Sequence, residues 1–118
     1  MLVTPIEVVA NWLRPRVSCP VVSKVPAKRP DLFVRVDSGA PNQDTLVSSE
    51  TLIIVQVYGV DLEQVLATIE EAQNILATID TQPAVLGWEQ ETREVEFPDP
   101  DLVGCHRWQF TGWLSFEY

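Results

Sequence analysis

The sequence has few residues of the kinds that hold metals or build catalytic centres. Among its 118 residues there are one histidine, two cysteines and five glycines. His106, Cys19 and Cys105 together are too few soft ligands for a tetrahedral zinc site. No glycine-rich phosphate loop opens a predicted helix, and no serine lies in a nucleophile-elbow pattern. We therefore expect no metal site, no cofactor and no catalytic residues.

The two cysteines and the histidine also form no recognisable reactive pair. Cys19 and Cys105 lie far apart in the sequence, and we expect two separate thiols without a disulfide. Cys105 and His106 are neighbours at the start of a predicted strand, where successive side chains point to opposite faces. A cysteine–histidine catalytic pair is therefore disfavoured at this position.

Long apolar runs are missing as well. The longest extends from Thr51 to Tyr58, far short of the ~20 residues that a membrane span needs. The sequence begins MLVTP, without the basic start and cleavage site of a secretory signal. We expect no membrane association, and we expect the protein to stay in the cytoplasm of the cell that makes it.

The composition is that of an ordinary globular protein. Apolar residues make up 46% of the chain and charged residues 21%, so burial can offset the entropy lost on folding. A chain of this length fits a single domain, residues 1–118, with one core.

The net charge of −9 is distributed unevenly. Up to Arg35, six basic residues stand against two acidic ones (+4), and from Val36 onward two basic residues stand against fifteen acidic ones (−13). Opposite charges on one small domain suit head-to-tail association of identical copies. A solvated acidic surface explains the composition equally well. A nucleic-acid groove is disfavoured because the basic residues lack interleaved aromatics.

Capping signals predict two helices. Thr4, Pro5 and Glu7 mark the start of the first, and Pro15 ends it near Arg14. The second begins after the cap residue Asp61, which is followed three positions later by Gln64. It carries an apolar stripe at helical spacing, made of Leu62, Val65, Leu66, Ile69, Ala72, Leu76 and Ile79. Its opposite face, with Glu63, Glu70, Glu71 and Asn74, should face water.

Five segments are predicted as strands, with the ranges Val17–Lys24, Leu32–Asp37, Thr51–Tyr58, Leu86–Val95 and His106–Tyr118. Pro20 makes the first an irregular or edge strand. The third is apolar on both faces, which predicts a central strand covered from above and below. In the fourth, Leu86, Trp88, Gln90 and Thr92 are predicted to share one face, opposite Glu89, Glu91 and Arg93.

The order of these elements predicts an α+β fold: a single mainly antiparallel sheet of four to five strands with two helices packed on it. Residues Ser38 to Ser49 are rich in turn formers and are predicted to be a mobile loop. Residues Phe97 to Asp101 contain two prolines and are predicted to be a rigid loop.

Three segments of the chain, in order, carry a resemblance to a known family. They are 29–36 (RPDLFVRV), 47–59 (VSSETLIIVQVYG), and 97–101 (FPDPD) followed by 107–111 (RWQFT). Together they resemble the small tail terminator proteins of long-tailed phages that infect actinobacteria. The chain departs from the family at Ser38-Gly39-Ala40, with one glycine where two are common, and at 103–106 (VGCH), an unusual approach to the last strand.

The resemblance implies a tail-terminator-like fold and a structural role in a bacteriophage virion. Such a protein forms a ring, usually a hexamer, at the neck between head and tail. The ring caps the major tail tube protein, ends tube polymerisation and joins the head–tail connector (stopper) protein. DNA would pass through the lumen without specific binding, and the acidic excess would keep it from adhering.

Two other classes of function stay open. Another neck component, such as a head-closure (stopper) protein, would share the small size and the lack of catalytic residues. A small-ligand binder or an enzyme is the third class.

The candidate residues for subunit or tube contacts come from four features. The basic part of the chain contributes Arg14, Arg16, Lys28 and Arg29. Asp99 and Asp101 form a carboxylate pair that lacks the further ligands and the turn glycine of a calcium loop, so we interpret it as a docking loop. Trp113 lies on the polar face of the last strand, as an interface anchor would, whereas Trp88 and Trp108 face the predicted core. Arg107, which opens the RWQFT segment, completes the set.

Overall fold

The computed structural model describes residues 4–44 and 48–117, and for residues 40–44 and 48–49 it describes the backbone alone. The elements are helix α1 (Pro5–Leu13), strands β1 (Val21–Val22), β2 (Leu32–Asp44) and β3 (Ser48–Gly59), helix α2 (Leu62–Leu76), a 3₁₀ turn (Ile79–Thr81), and strands β4 (Val85–Glu96) and β5 (His106–Glu117). The predicted α+β fold, with one mainly antiparallel sheet and two helices, is confirmed.

The five strands form one sheet in the order β1-β2-β3-β5-β4. Strand β1 is the only one that pairs in parallel among the described residues, and it contributes two residues beside Val34 and Arg35 of β2. All other neighbours pair antiparallel. The central position predicted for β3 and the edge position predicted for β1 are therefore confirmed.

Helix α1 forms because its first turn is capped and its apolar residues share one face. The Thr4 hydroxyl accepts a hydrogen bond from the Glu7 amide at 3.2 Å, and Pro5 lies at the first helical position, where its missing N–H costs nothing. The helix ends at Leu13, within one residue of the prediction. Val9, Ala10 and Leu13 are buried.

Helix α2 is capped by Asp61, whose carboxylate accepts from the Glu63 amide at 3.0 Å. Its buried face consists of Val65, Thr68, Ile69, Ala72 and Leu76. Leu62 and Leu66, both predicted to belong to the buried stripe, are exposed at 38% and 36%. Leu66 is exposed because, at 3.6 residues per turn, it lies roughly a quarter turn from the centre of that stripe. Thr68, on the other flank, is buried instead.

Both helices pack on the same face of the sheet. The strand residues buried beneath them are Val34 and Val36 of β2, Ile53, Val55 and Val57 of β3, and Phe110, Leu114 and Phe116 of β5. The prediction that β3 is covered from above and below is wrong, since no described helix lies on its second face. On that face Leu52 and Ile54 are half-buried, and Gln56 and Tyr58 are buried beneath neighbouring side chains. We call this second side of the sheet the open face.

The segment from Ser38 to Ser49, predicted to be a mobile loop, is mostly strand. Strand β2 continues to Asp44, opposite Ser49 of β3, with register shifts on both sides of Pro41. The turn-forming residues fit within the strand because each register shift leaves one or more residues of β2 out of the regular pairing with β3. The prediction is therefore wrong for Ser38–Asp44 and for Ser48 and Ser49, and its remainder, 45–47, lies outside the described residues.

The predicted alternation of β4 holds only at Trp88 and Gln90. Leu86, predicted to share their face, is 56% exposed beside a register shift between Val85 and Gly87. Trp88 and Gln90 face the helices, but a register shift between Gln90 and Thr92 turns Thr92 to the open face. There the hydroxyls of Thr92 and Thr111 are 2.8 Å apart and share a hydrogen bond. A bulge adds one residue to a strand and so reverses the faces beyond it, which a simple alternation cannot show.

Close packing at Gly112 provides a test of the sheet geometry. A Cβ atom at this position would lie 2.4 Å from the Trp88 ring and 3.0 Å from the Glu89 carbonyl oxygen, whereas a Cβ atom at Gly87 would meet nothing within 4 Å. We expect Gly112→Ala to lower the free energy of unfolding by about 1–3 kcal/mol because Trp88 must move. In urea denaturation, Gly87→Ala should change it by less than about 0.5 kcal/mol. Equal effects of the two substitutions would contradict this packing.

Candidate functional site

Arg107 organises the loop between β4 and β5, residues 97–105, which we call the closing loop. Its guanidinium donates hydrogen bonds to the carbonyl oxygens of Phe97 and Pro98, the latter at 3.2 Å, and to the Asp99 carboxylate at 3.5 Å. It also donates to the Tyr58 hydroxyl at 3.3 Å. The Arg107 side chain is only 12% exposed. These contacts fasten the closing loop over one end of the open face.

The acidic pair predicted in this loop is divided between two environments. Asp99 accepts a hydrogen bond from the Asp101 amide at 3.0 Å and is paired with Arg107, whereas Asp101 itself is exposed. Nowhere in residues 4–44 and 48–117 do three or more histidine, cysteine or acidic side chains gather as a metal site would require. Asp101 is thus the member of the pair that a partner can reach directly.

A row of polar side chains crosses the open face beside the closing loop. Arg35 donates to the Gln56 side-chain oxygen at 3.1 Å, and the Gln56 amide donates to Gln109 at 3.1 Å. The Tyr58 hydroxyl donates to the same Gln56 oxygen at 3.2 Å, and the Tyr58 ring stacks on Phe33 with 4.7 Å between centroids. Sequence reasoning missed this row. Its members alternate with apolar residues in three strands, but only the register brings them into line.

Two of the basic candidates, Arg14 and Arg16, follow α1 and lie near β1, the strand at one edge of the sheet. Residues 14–29, which include β1, contain five basic residues and no acidic residue, and we call them the basic segment. The Arg14 guanidinium donates to Asn11 at 2.8 Å and to the Val21 carbonyl at 3.4 Å. Arg16 lies 3.4 Å from the centroid of the Trp12 ring and donates to the Trp12 carbonyl at 2.9 Å. Both arginines are exposed and held in place.

Lys28 and Arg29, the other basic candidates, belong to the connection between β1 and β2 and are also exposed. Arg29 borders a small cleft that includes Val60 and Val103. The structure therefore places all four basic candidates on the surface. Arg14 contacts the backbone of β1, whereas Arg29 lies next to the closing loop.

Strand β4, at the opposite edge, carries four glutamates and one arginine, and we call it the acidic edge. Glu89, Glu91 and Glu96 are exposed. Gln73 of α2 donates to Glu94 at 2.8 Å, and this hydrogen bond lowers the pKa of that carboxyl. Arg93 is 87% exposed and lies 3.7 Å from Glu94. The acidic edge has a net charge of −3, against +5 for the basic segment.

Trp113 lies on the open face next to the acidic edge, as the alternation of β5 predicts. It is half-buried and stands between Leu52 of β3 and Glu89 of β4 in the register of the sheet. Trp113 thus lies beside an exposed carboxylate, whereas Trp88 and Trp108 pack against the core as predicted.

The two thiols lie in different surroundings, and both are free cysteines. Cys19 packs against the core, and burial raises the pKa of its thiol, which disfavours the reactive thiolate. The Cys105 sulfur lies 3.7 Å from the backbone carbonyl oxygen of His106. This contact involves the backbone of His106 rather than its imidazole.

In the part of the chain that the structure describes, no helix combines the length and the apolar character needed to cross a bilayer.

No protein-family model matches the sequence, and no curated protein matches it. Among solved structures, the chain is similar to a chain of a structure described as the virion of a native gene transfer agent particle. The two are 12% identical with a TM-score of 0.49, and the similarity covers 93% of this chain and 84% of the other.

The contacts of Arg107 predict that it stabilises the closing loop. We expect Arg107→Met to lower the free energy of unfolding by about 1–3 kcal/mol, because the Asp99 carboxylate and the Tyr58 hydroxyl lose a charged donor. Hydrogen exchange should accelerate in residues 97–105 in particular. Arg93→Met removes an exposed arginine of the same sheet and should change stability by less than about 0.5 kcal/mol. Unchanged protection of the closing loop in the Arg107 variant would show that other contacts hold it.

Proposed function

We propose that this protein is a structural component of a phage-type virion, and specifically a tail terminator. In this role it forms a ring, with six subunits as the family resemblance implies, on the last layer of the tail tube. The ring ends tube polymerisation and joins the tail to the head–tail connector. The observation that carries the proposal is the opposite charge at the two edges of the sheet.

A closed ring requires two different, complementary surfaces on every subunit, since each copy contacts the next in the same orientation. The basic segment and the acidic edge meet this requirement because β1 and β4 are the two outermost strands. Opposite charges also steer the encounter of two copies and set their orientation. Side-by-side assembly therefore places the basic segment of one copy against the acidic edge of the next.

The acidic edge favours contact through side chains over the addition of another strand. Strand β4 has three register shifts along its pairing with β5, and it carries charged side chains along its length. Bulges and charges are the features that discourage strand addition at a sheet edge. A contact through side chains can close at one defined angle, which a ring of fixed subunit number needs.

The segments behind the family resemblance occupy the middle of the fold. The RPDLFVRV segment leads into and begins β2, the 47–59 segment ends in β3, and RWQFT lies in β5, so all three meet in adjacent strands. The FPDPD segment starts the closing loop at one end of these strands. The resemblance thus rests on one connected part of the structure, which supports its extension to the whole fold.

The end of the sheet with the closing loop suits contact with an adjoining ring. Val103 is 99% exposed there, Val60 and Phe97 are more than half exposed, and Asp101 is open to solvent. An exposed apolar group beside a charge is typical of a docking surface. We assign this end to the tail tube protein or to the connector, and the acidic excess of the chain to a lumen that DNA crosses without adhering.

Reversing charge in the basic segment tests the ring. We expect Arg14→Glu and Arg16→Glu each to raise the concentration for half-assembly at least about tenfold, because each replaces attraction to the acidic edge by repulsion. Light scattering measures the assembled mass. Arg93→Glu, an equal charge change on the acidic edge, should leave assembly intact. An unchanged ring in the Arg14→Glu/Arg16→Glu double variant would contradict the charge pairing.

Electron microscopy tests the place of the ring in the virion. When the pure protein is mixed with purified tail tubes of the same particle, we expect rings at one end of each tube. Capped tubes should not lengthen when tube protein is added. Binding to the isolated connector with no binding to tubes would identify a head-closure protein instead, and the absence of rings would contradict both roles.

A further inference from the structure

A cleft with an aromatic and acidic lining lies where the open face meets the acidic edge. It has a volume of about 250 Å³ and is lined by Glu50, Gly87, Trp88, Glu89, Trp113 and Ser115. Glu89 of β4 lies directly opposite Trp113 of β5, and Glu50 of β3 lies opposite Ser115. The cleft therefore combines two tryptophans, of which Trp113 lies on the open face, with carboxylates from two different strands.

This lining has the chemistry of a receptor for a cation. The face of an indole attracts a guanidinium or ammonium group, and the attraction grows when water is excluded. Carboxylates beside the ring add charge-assisted hydrogen bonds, for which the planar guanidinium of arginine has the better geometry. Gly87 has open space where a side chain would lie, so the approach from the acidic edge is not obstructed.

A contact between a guanidinium and an indole ring already exists within the chain. The guanidinium of Arg16 rests on the ring of Trp12, at 3.4 Å from the centroid. Trp113 has an indole of the same kind beside carboxylates, and no described arginine of the same chain is stacked on it. The complementary cations are in the basic segment, which lies at the far edge of the same sheet.

We propose that this cleft receives an arginine side chain from the basic segment of a second copy of the chain. The inference rests on the ring described under the proposed function, and it specifies the contact that joins adjacent subunits. Three of the five cations in the basic segment are arginines, namely Arg14, Arg16 and Arg29. Trp113 is then the buried anchor of the interface. Glu89 favours a positively charged side chain as the occupant of the cleft.

Charge reversal at Glu89 compares the cleft with an exposed acidic position elsewhere on the surface. Glu89→Arg should raise the concentration for half-assembly at least about tenfold, measured by light scattering. Glu70→Arg makes the same charge change at an exposed position of α2 and should leave assembly as in the wild type. One of Arg14→Glu, Arg16→Glu or Arg29→Glu, combined with Glu89→Arg, should restore the ring. Intact rings of Glu89→Arg, or failure of all three combinations to restore them, would overturn the proposal.

A second measurement follows the indole of Trp113 directly. The probes are two synthetic peptides, with the sequences of residues 11–22 and 24–30, each titrated separately into labelled protein below the concentration at which rings form. We expect the indole N–H resonance of Trp113 to shift with at least one wild-type peptide and to stay unchanged with the matching peptide that has glutamate in place of arginine. Equal shifts with a peptide and its glutamate counterpart, or no shift with either wild-type peptide, would contradict arginine recognition by this cleft.

The two measurements distinguish failure of the cleft from failure of the ring. If the wild type forms rings and Glu89→Arg forms them equally well, the ring stands and the cleft does not join its subunits. If the wild type forms no rings at any concentration, the proposed function fails. A peptide-dependent shift of Trp113 in that case would show a cation site with an occupant other than a second copy, which overturns the inference as stated.

Discussion

Both helices pack against one side of the sheet, and the rest of the structure depends on this one-sided burial. The valines and isoleucines of β2 and β3 and the aromatic residues of β5 supply the apolar surface, and α1 and α2 cover it. A chain of this size has enough apolar residues for one such layer. The second face of the same strands is therefore covered only by contacts among its own side chains and by the closing loop.

The contacts on the open face are hydrogen bonds among side chains from distant parts of the sequence. The row from Arg35 through Gln56 to Gln109 spans three strands, and Arg107 fastens the closing loop over Tyr58. These hydrogen bonds close most of this end of the open face. Leu52, Ile54 and Trp113, farther along the strands, remain half-buried and form the part of the face that a neighbour can still cover.

The order of the strands in the sheet determines where the unevenly distributed charges of the chain lie in the structure. Basic residues concentrated early in the sequence and acidic residues concentrated later would mix if β1 and β4 were neighbours. Instead β1 and β4 are the outermost strands of the sheet, which keeps the two charges apart. Unlike edges would allow association in one direction only, as the proposed ring of identical copies requires.

The sequence by itself determined the features that depend on neighbouring residues. Thr4 with Pro5, and Asp61, start the two helices where predicted, and the alternation of β5 placed Phe110, Leu114 and Trp113 on their observed faces. These features follow from local hydrogen bonding and from the period of each element. The α+β class followed from the order of the elements.

Tertiary structure decided what depends on register and on which faces meet. Turn formers between Ser38 and Asp44 became strand because β3 supplied pairing partners, and the bulges of β4 moved Thr92 to the opposite face. The open face, the Arg107 contacts and the cleft beside Trp113 unite residues that are distant in sequence. Their alignment is set by strand pairing, because side chains alternate with a period of two residues, a bulge shifts the register by one residue and so reverses the faces, and no local pattern encodes those shifts.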